Sequence, residues 1–239
     1  MSLKNQRIVV LGGTSGIGYA TASAAGHEGA AVTVVSSSAA KLEKALTGLP
    51  SNAAGEVANL SSETEISELF ARIGQLDHLV YTAGEPLFLS ELGDLQLADA
   101  KRFFDVRFWG AVLAAKHAAP RIRKGGSIIF TSGAAKDRPE KGWTVPASIT
   151  GAVVTLTRSL AVELAPIRVN AVAPGVVRSP LWDGIPETQR EEMYADVGRK
   201  LLLGRVGEPE DMAEAYLFLM RERFITGEVI DVDGGASLA

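Results

Sequence analysis

Arg7-Ile8-Val9-Val10-Leu11-Gly12-Gly13-Thr14-Ser15-Gly16-Ile17-Gly18 is the stretch on which the fold turns. A short run of aliphatic, mostly β-branched residues leads straight into glycines, and the Ala-rich stretch Ile17–Ala25 follows. That succession predicts a buried strand, a tight turn and a helix. Glycines let the chain turn sharply and approach a diphosphate closely, while a helix N-terminus offers free N–H groups and a favourable dipole. The same glycines also suit a plain turn, so the rest of the chain has to decide between the two readings.

Outward from this unit, the pattern repeats. Ala31–Val35, His78–Tyr81, Ser127–Thr131, Ile167–Val172 and Val229–Val232 read as further buried strands. Their near-continuous apolar character suits a parallel sheet covered on both faces. Helical stretches lie between them: Ser62 to Ile73, opened by a Ser62-x-x-Glu65 capping box, then Asp99–Ala119, Ser148–Leu164 and Glu210–Met220. Strands separated by such helices imply βαβ units with right-handed crossovers. The fold class expected is therefore α/β, a Rossmann-type doubly wound parallel sheet in one domain over residues 1–239. The region Trp182–Leu203, flanked by Pro180 and Pro186, reads as irregular, a mobile insertion around 180–203.

Composition narrows the function. The 239 residues are 46% hydrophobic and 22% charged, with a net charge of −4, which fits a globular chain. That balance carries no broad basic footprint for nucleic acid and no polybasic membrane anchor. With no cysteine, a disulfide framework and a thiolate site drop out. The three histidines, His27, His78 and His117, are too scattered to suggest a metal site, and none is expected. No run reaches the ~18 apolar residues of a membrane span, and a cytoplasmic protein is the expectation.

The chain resembles the short-chain dehydrogenase/reductase family along nearly its whole length. The glycine turn matches that family's Thr-Gly-x-x-x-Gly-x-Gly with Leu11 in place of threonine. Asn59-Leu60 stands for its Asp-Val, and Tyr81-Thr82-Ala83-Gly84 for its Asn-Asn-Ala-Gly. Asn170 through Ser179 resembles Asn-x-x-x-Pro-Gly-x-Val-x-Thr, and Gly204–Pro209 and Ile225–Gly235 resemble its C-terminal signatures. The resemblance implies a nicotinamide cofactor held by Gly12, Thr14, Ser15, Gly16, Ile17, Gly18, Ser36, Ser37, Ser38, Asn59, Leu60, Thr82, Ala83, Gly84, Pro174, Gly175, Val177 and Ser179.

An acid ending the second strand would accept the ribose 2′-hydroxyl and repel a 2′-phosphate. Here Ser36-Ser37-Ser38 follow Val35, and no acid appears before Glu43. Hydroxyls and a helix N-terminus can donate to a phosphate, with Thr14 and Ser15 facing them, so NADP(H) is expected over NAD(H).

The family's chemistry runs on an Asn–Ser–Tyr–Lys tetrad. Aligning from Leu156–Pro166, those positions fall on Arg107, Gly133, Pro146 and Thr150. No tyrosine lies between Tyr81 and Tyr194 and no lysine between Lys141 and Lys200, so no shift of register restores Tyr-x-x-x-Lys. Proline cannot transfer a proton, threonine has no charge, and arginine stays protonated.

Substitutes can be named. Arg107 is the catalytic candidate, a cation expected to point towards Gly133, Pro146 and Thr150 and to clamp a carboxylate or reach a cofactor phosphate or ribose. The competing reading pairs it at the surface with an acid such as Asp137. Tyr81 is either a phenolic donor or packing against the sheet. Thr131 and Ser132 orient a carbonyl or bond the local backbone. Lys136, Asp137, Arg138, Glu140 and Lys141 form a charged loop from which Lys136 or Lys141 can fold inwards. Trp143, Trp182 and Tyr194 line a substrate pocket or cover the core. The function expected is an NADP(H)-dependent oxidoreductase with an altered active centre, acting on an unknown small molecule. The alternative is a catalytically impaired NADP(H)-binding sensor or interaction protein. A non-redox enzyme such as a halohydrin dehalogenase fits poorly, since those relatives keep Ser and Tyr and degrade the glycine loop. Aromatic residues crowd Asp99–Ala119 beyond what one core-facing stripe needs, and the family resemblance implies that this helix and Ser148–Leu164 pair across a two-fold axis in a homodimer or homotetramer.

Overall fold

A computed structural model describes residues 2–239. Seven strands run parallel in the order β3-β2-β1-β4-β5-β6-β7: β1 Arg7–Leu11, β2 Ala31–Ser36, β3 Ala53–Val57, β4 Leu76–Tyr81, β5 Ile122–Thr131, β6 Arg168–Pro174 and β7 Val229–Val232. The chain crosses from β3 to the far side of β1, which makes the C-terminal ends of β1 and β4 the switch point where such sheets bind ligands. Leu11 pairs with Val35 on one side and Tyr81 on the other. Gly12, Ser36 and Thr82 therefore leave adjacent strands side by side.

Alternation along the strands feeds two layers. Val9, Leu11, Leu79, Tyr81, Ile128 and Phe130 face α3 (Glu63–Ile73), α5 (Ala111–Ala118) and α6 (Thr144–Glu163). Ile8, Val10, Val32, Val34, Val80 and Ile129 face α1 (Gly16–His27), α2 (Ala39–Gly48) and α8 (Pro209–Arg221). In α1 the buried positions are Gly18, Ala20, Thr21, Ala22, Ala25 and Gly26, small enough for α8 to pack closely against it. By length and composition α6 is apolar enough to cross a membrane, yet its Val145, Ile149 and Val153 lie in the core under the sheet.

Several boundaries differ from the sequence reading. β3, with the sequence AAGEV, is an edge strand with little β-branched character, so its pattern is weak. The helix α2 also went unread. The stretch Asp99–Ala119 is not one helix: α4 (Leu97–Phe104) runs into a π-turn over Asp105–Gly110 and only then into α5. Residues 180–203 are not irregular either. A short turn over Pro180–Trp182 leads to α7 (Glu187–Lys200), and Trp182, Tyr194 and Val206 form a small core of their own. α7 hides from sequence reading because only Tyr194 and Gly198 of its residues are buried. At α3 half of the capping box forms. Ser62 accepts the Glu65 N–H at 3.4 Å, while the Glu65 carboxylate accepts the Asn59 N–H at 2.8 Å instead of closing back on Ser62.

Candidate active site

The glycine turn is packed from both sides. Gly12 has φ 86°, and a Cβ on it would stand 2.6 Å from the Ala83 nitrogen. A Cβ on Gly13 would meet Val34 at 2.7 Å, and one on Gly18 would run into the Gly12 carbonyl and the Thr82 hydroxyl. Thr82 is itself fixed, its N–H and hydroxyl both donating to the Leu11 carbonyl at 2.9 and 3.0 Å. Gly16 is different: at φ 51°, a Cβ there would face Pro180 Cδ and Ser179 Cβ at 3.2 and 3.3 Å. The fold thus brings Ser179 across to the turn from the far half of the chain. Ser15, at the N-cap of α1, is extended and makes no side-chain cap, so the first N–H groups of the helix have no hydroxyl on them. Thr14 lies half-buried beside it and Ile17 packs into the layer below. A glycine cradle at an uncapped helix N-terminus is what a diphosphate needs.

Neighbouring residues complete the outline. The Ser36 hydroxyl accepts the Ser38 N–H at 3.2 Å, and Ser38 caps α2 by accepting the Lys41 N–H at 3.3 Å. Ser37 is exposed. Asn59 Oδ1 accepts from the Ser61 N–H at 3.0 Å and its hydroxyl at 2.7 Å, which holds an exposed turn beside buried Leu60. Pro174 ends β6, and Gly175 lies where a Cβ would be 2.8 Å from Asp233 Cα. Buried Val177 bridges to Gly207.

Around the tetrad positions the picture departs from expectation. Arg107 sits in the π-turn. Its guanidinium rests on Gly84, where a Cβ would come within 2.5 Å of Cζ, and donates to the Glu85 carbonyl. Phe103 lies beneath it, 4.6 Å from Cζ to the ring centroid. Burial pulls its pKa down, opposed by Glu85 and Tyr81. The pairing with Asp137 is overturned, because Asp137 bonds Lys136. Within 4 Å of a Cβ on Gly133 there are only Thr150 Cγ2, at 3.1 Å, and the Pro174 carbonyl, so the guanidinium is not in contact with that position.

Other candidates are accounted for locally. The Ser132 hydroxyl donates to the Thr150 carbonyl at 2.9 Å, and the Thr150 hydroxyl to Ala147 at 3.0 Å. Thr131 bonds the Tyr81 carbonyl and the Tyr216 hydroxyl. Pro146 is buried in the first turn of α6. Lys136 folds inwards but onto Asp231 at 2.7 Å and onto Asp137. Burial opposes its charge, those two bonds outweigh burial, and its pKa is raised. Lys141 stays outside on Glu91 at 2.7 Å. Trp182 and Tyr194 are core of the insertion, with the Trp143 ring tilted against Trp182 at 6.3 Å between centroids, so they cover a core. Sequence reading missed Phe103, Glu85 and Arg178. Arg178 bonds Glu191 at 2.7 Å and lies 4.5 Å over Tyr194, which fastens α7 beside Ser179. No local pattern marks Glu85, since it takes part through its carbonyl.

The profile of the family described as Enoyl-(Acyl carrier protein) reductase matches residues 12–237. This chain belongs to the short-chain dehydrogenase/reductase family of oxidoreductases, which work with a nicotinamide cofactor. It is 40% identical, over 99% of both chains, to "Short-chain dehydrogenase/reductase ATR9" of Stachybotrys chlorohalonatus (strain IBT 40285). Among solved structures it is similar to a small-chain dehydrogenase in complex with NADPH, at 38% identity and TM-score 0.84 over 99% of this chain and 100% of that one. It is also similar to MalC Reductase/Diels-Alderase from Malbranchea aurantiaca, at 30% identity and TM-score 0.91 over 98% and 96%.

Proposed function

We propose that this protein is an NADP(H)-dependent oxidoreductase whose active centre has been rebuilt around Arg107. The observation that carries the reading is the half-buried guanidinium laid on Gly84, at the loop that packs against the glycine turn. The bound nicotinamide supplies or accepts hydride. Gly16, the N–H groups opening α1 and Ser179 are the groups for its diphosphate, and Pro174-Gly175 with Val177 support its amide end. Arg107 offers a fixed positive charge for a cofactor ribose or phosphate, or for an anionic substrate. It does not replace a proton donor, so the proton on the reduced oxygen comes from solvent water and the substrate is one that accepts hydride readily. The competing reading, a binding protein without turnover, predicts cofactor affinity with no oxidation of NADPH by any reducible carbonyl. A titration with NADPH followed by a carbonyl panel separates the two.

Cofactor choice follows from the second strand. Ser37 is exposed, no carboxylate stands there, and the exposed Lys41 occupies the first turn of the helix that Ser38 caps. NADPH is expected to bind about tenfold or more tighter than NADH, the range of one charge-assisted hydrogen bond. Equal affinities by fluorescence titration would remove the serine argument.

Assembly is part of the same proposal. Leu97 is 66% and Trp109 54% exposed. They border a groove of about 420 Å³ with Ala100, Lys101, Phe104 and Asp105. That face is the one we assign to a homodimer or homotetramer, with Lys101 and Asp105 available for reciprocal pairing across a two-fold axis. Light scattering at micromolar concentration is expected to give at least twice the chain mass, and a monomer counts against it. The cytoplasmic setting, and the lack of nucleic-acid or membrane partners, belong to this proposal and rest on the modest net charge of the sequence.

A further inference from the structure

Two departures from the family pattern, Tyr81 and Arg107, meet in one place. Tyr81 is buried, and its hydroxyl donates to the Val106 carbonyl at 2.5 Å, inside the π-turn and one residue before Arg107. We propose that Tyr81 is a positioning residue whose hydroxyl holds the π-turn at the register that lays the Arg107 guanidinium on Gly84. The proposal rests on the reading of Arg107 given above, and it adds a residue that reading does not need.

Three observations carry it. First, the Tyr81 backbone is anchored in the sheet, paired with Leu11 on one side and Phe130 on the other. Its carbonyl accepts the Thr131 hydroxyl at 2.7 Å, and the next residue, Thr82, is bonded to Leu11. The hydroxyl is therefore a fixed point, carried on the same strand end that leads to Gly84. Second, the turn is fitted to that hydroxyl. A Cβ on Gly110 would run into the Tyr81 oxygen and stand 2.6 Å from the Leu60 carbonyl, so only glycine closes the turn here. Third, Arg107 does not hold itself in place. Its Nε is buried with no hydrogen-bond partner, and its one described donation goes to the Glu85 carbonyl. With Nε unmet, the Glu85 carbonyl and the Phe103 ring hold the guanidinium only while the π-turn keeps its backbone over Gly84.

A π-turn carries one residue more than an α-turn and disturbs the carbonyl ladder around it. The Tyr81 hydroxyl takes up one of those carbonyls. Phenylalanine would keep the ring and leave Val106 without that donor, which favours relaxation towards α-helical register. Removing one residue from the turn rotates the side chains it carries by about 100°. Arg107 would then leave Gly84.

The test compares wild type, Tyr81→Phe, Arg107→Ala and the double variant, each by NADPH titration and by the NMR signal of the Arg107 Nε–H. Wild type is expected to show a slowly exchanging Nε–H, and Tyr81→Phe to lose that protection. NADPH should bind about tenfold more weakly to Arg107→Ala, and by most of that factor more weakly to Tyr81→Phe. The double variant should match Arg107→Ala, because both changes remove the same interaction. A protected Nε–H in Tyr81→Phe overturns the positioning role whatever the affinities are. Lost protection with unchanged NADPH affinity in both single variants upholds the positioning and overturns the reading of Arg107. Were Tyr81→Phe to unfold, the wild-type protein still decides the matter. A Tyr81 hydroxyl proton that exchanges freely shows that no bond to Val106 exists, and a slowly exchanging one supports it.

Discussion

Gly12→Ala is expected to lower stability by ~2–4 kcal/mol and to abolish saturable binding of NADPH. Two causes add. At φ 86° an alanine is in the left-handed region, which costs ~1–2 kcal/mol for a residue with a Cβ. Its methyl would also stand 2.6 Å from the nitrogen and 2.7 Å from the Cα of Ala83. Those are backbone atoms, held by the pairing of Leu11 with Tyr81, so no side chain can rotate to make room. Relief requires the β1 and β4 loops to separate, and these two loops together form the floor of the nucleotide cleft. Urea unfolding and an NADPH titration on the purified variant check both parts. A midpoint and an affinity equal to wild type would show that the turn tolerates a side chain and that the packing argument is wrong.

The second large effect is acid sensitivity centred on His78. This side chain is 2% exposed, with Nδ1 2.8 Å from the Ser127 hydroxyl and Nε2 2.7 Å from Gln6 Oε1. Burial, aided by the Arg168 charge, pushes its pKa down to about 3. In the unfolded chain the imidazole takes up a proton near pH 6.5. Between those values the unfolded state binds more protons, so stability rises with pH. His78 therefore contributes its full stability above about pH 6.5, and that contribution is lost progressively as pH falls towards 3. At ~1.4 kcal/mol per unit, the loss from pH 6.5 to 4.5 is roughly 2–3 kcal/mol. The pKa of Asp211, held down to about 2 by the bond to Arg205 and by the Glu208 N–H, leaves it charged throughout. Stability from urea titrations should decline over this range, and His78→Gln should flatten the slope while lowering the plateau. A wild-type curve flat from pH 7 to 5 would mean that His78 takes up its proton in the fold at the same pH as in the unfolded chain.

Much of the fold was legible in local pattern. Apolar β-branched runs of strand length, spaced by helices, specify a parallel sheet because both faces of such strands must be covered. The one strand without a local signature is β3, whose AAGEV has little β-branched character and takes its place from pairing with β2. The insertion read as irregular because α7 buries almost nothing except Tyr194 and Gly198, so its helical period carries no apolar stripe. Its order comes from Trp182, Val206 and the Arg178 clamp, none of which lies within the helix.

At the candidate site the division is sharper. The order of residues by itself established the strand–glycine–helix unit, the missing carboxylate after Val35, and the absence of any Tyr-x-x-x-Lys, because each is a statement about neighbours along the chain. It could name Arg107 but not aim it. The aim depends on the π-turn, on the Tyr81 hydroxyl 26 residues away in sequence, and on the bare Cα of Gly84, against which the guanidinium is laid. The tertiary structure also decided that Ser132, Lys136 and Trp182 serve the scaffold, since their hydrogen-bonding groups find carbonyl or carboxylate partners there. A side chain's residue type is local, whereas its partners are chosen by packing across the sheet, where segments distant in sequence compete for the same few polar groups.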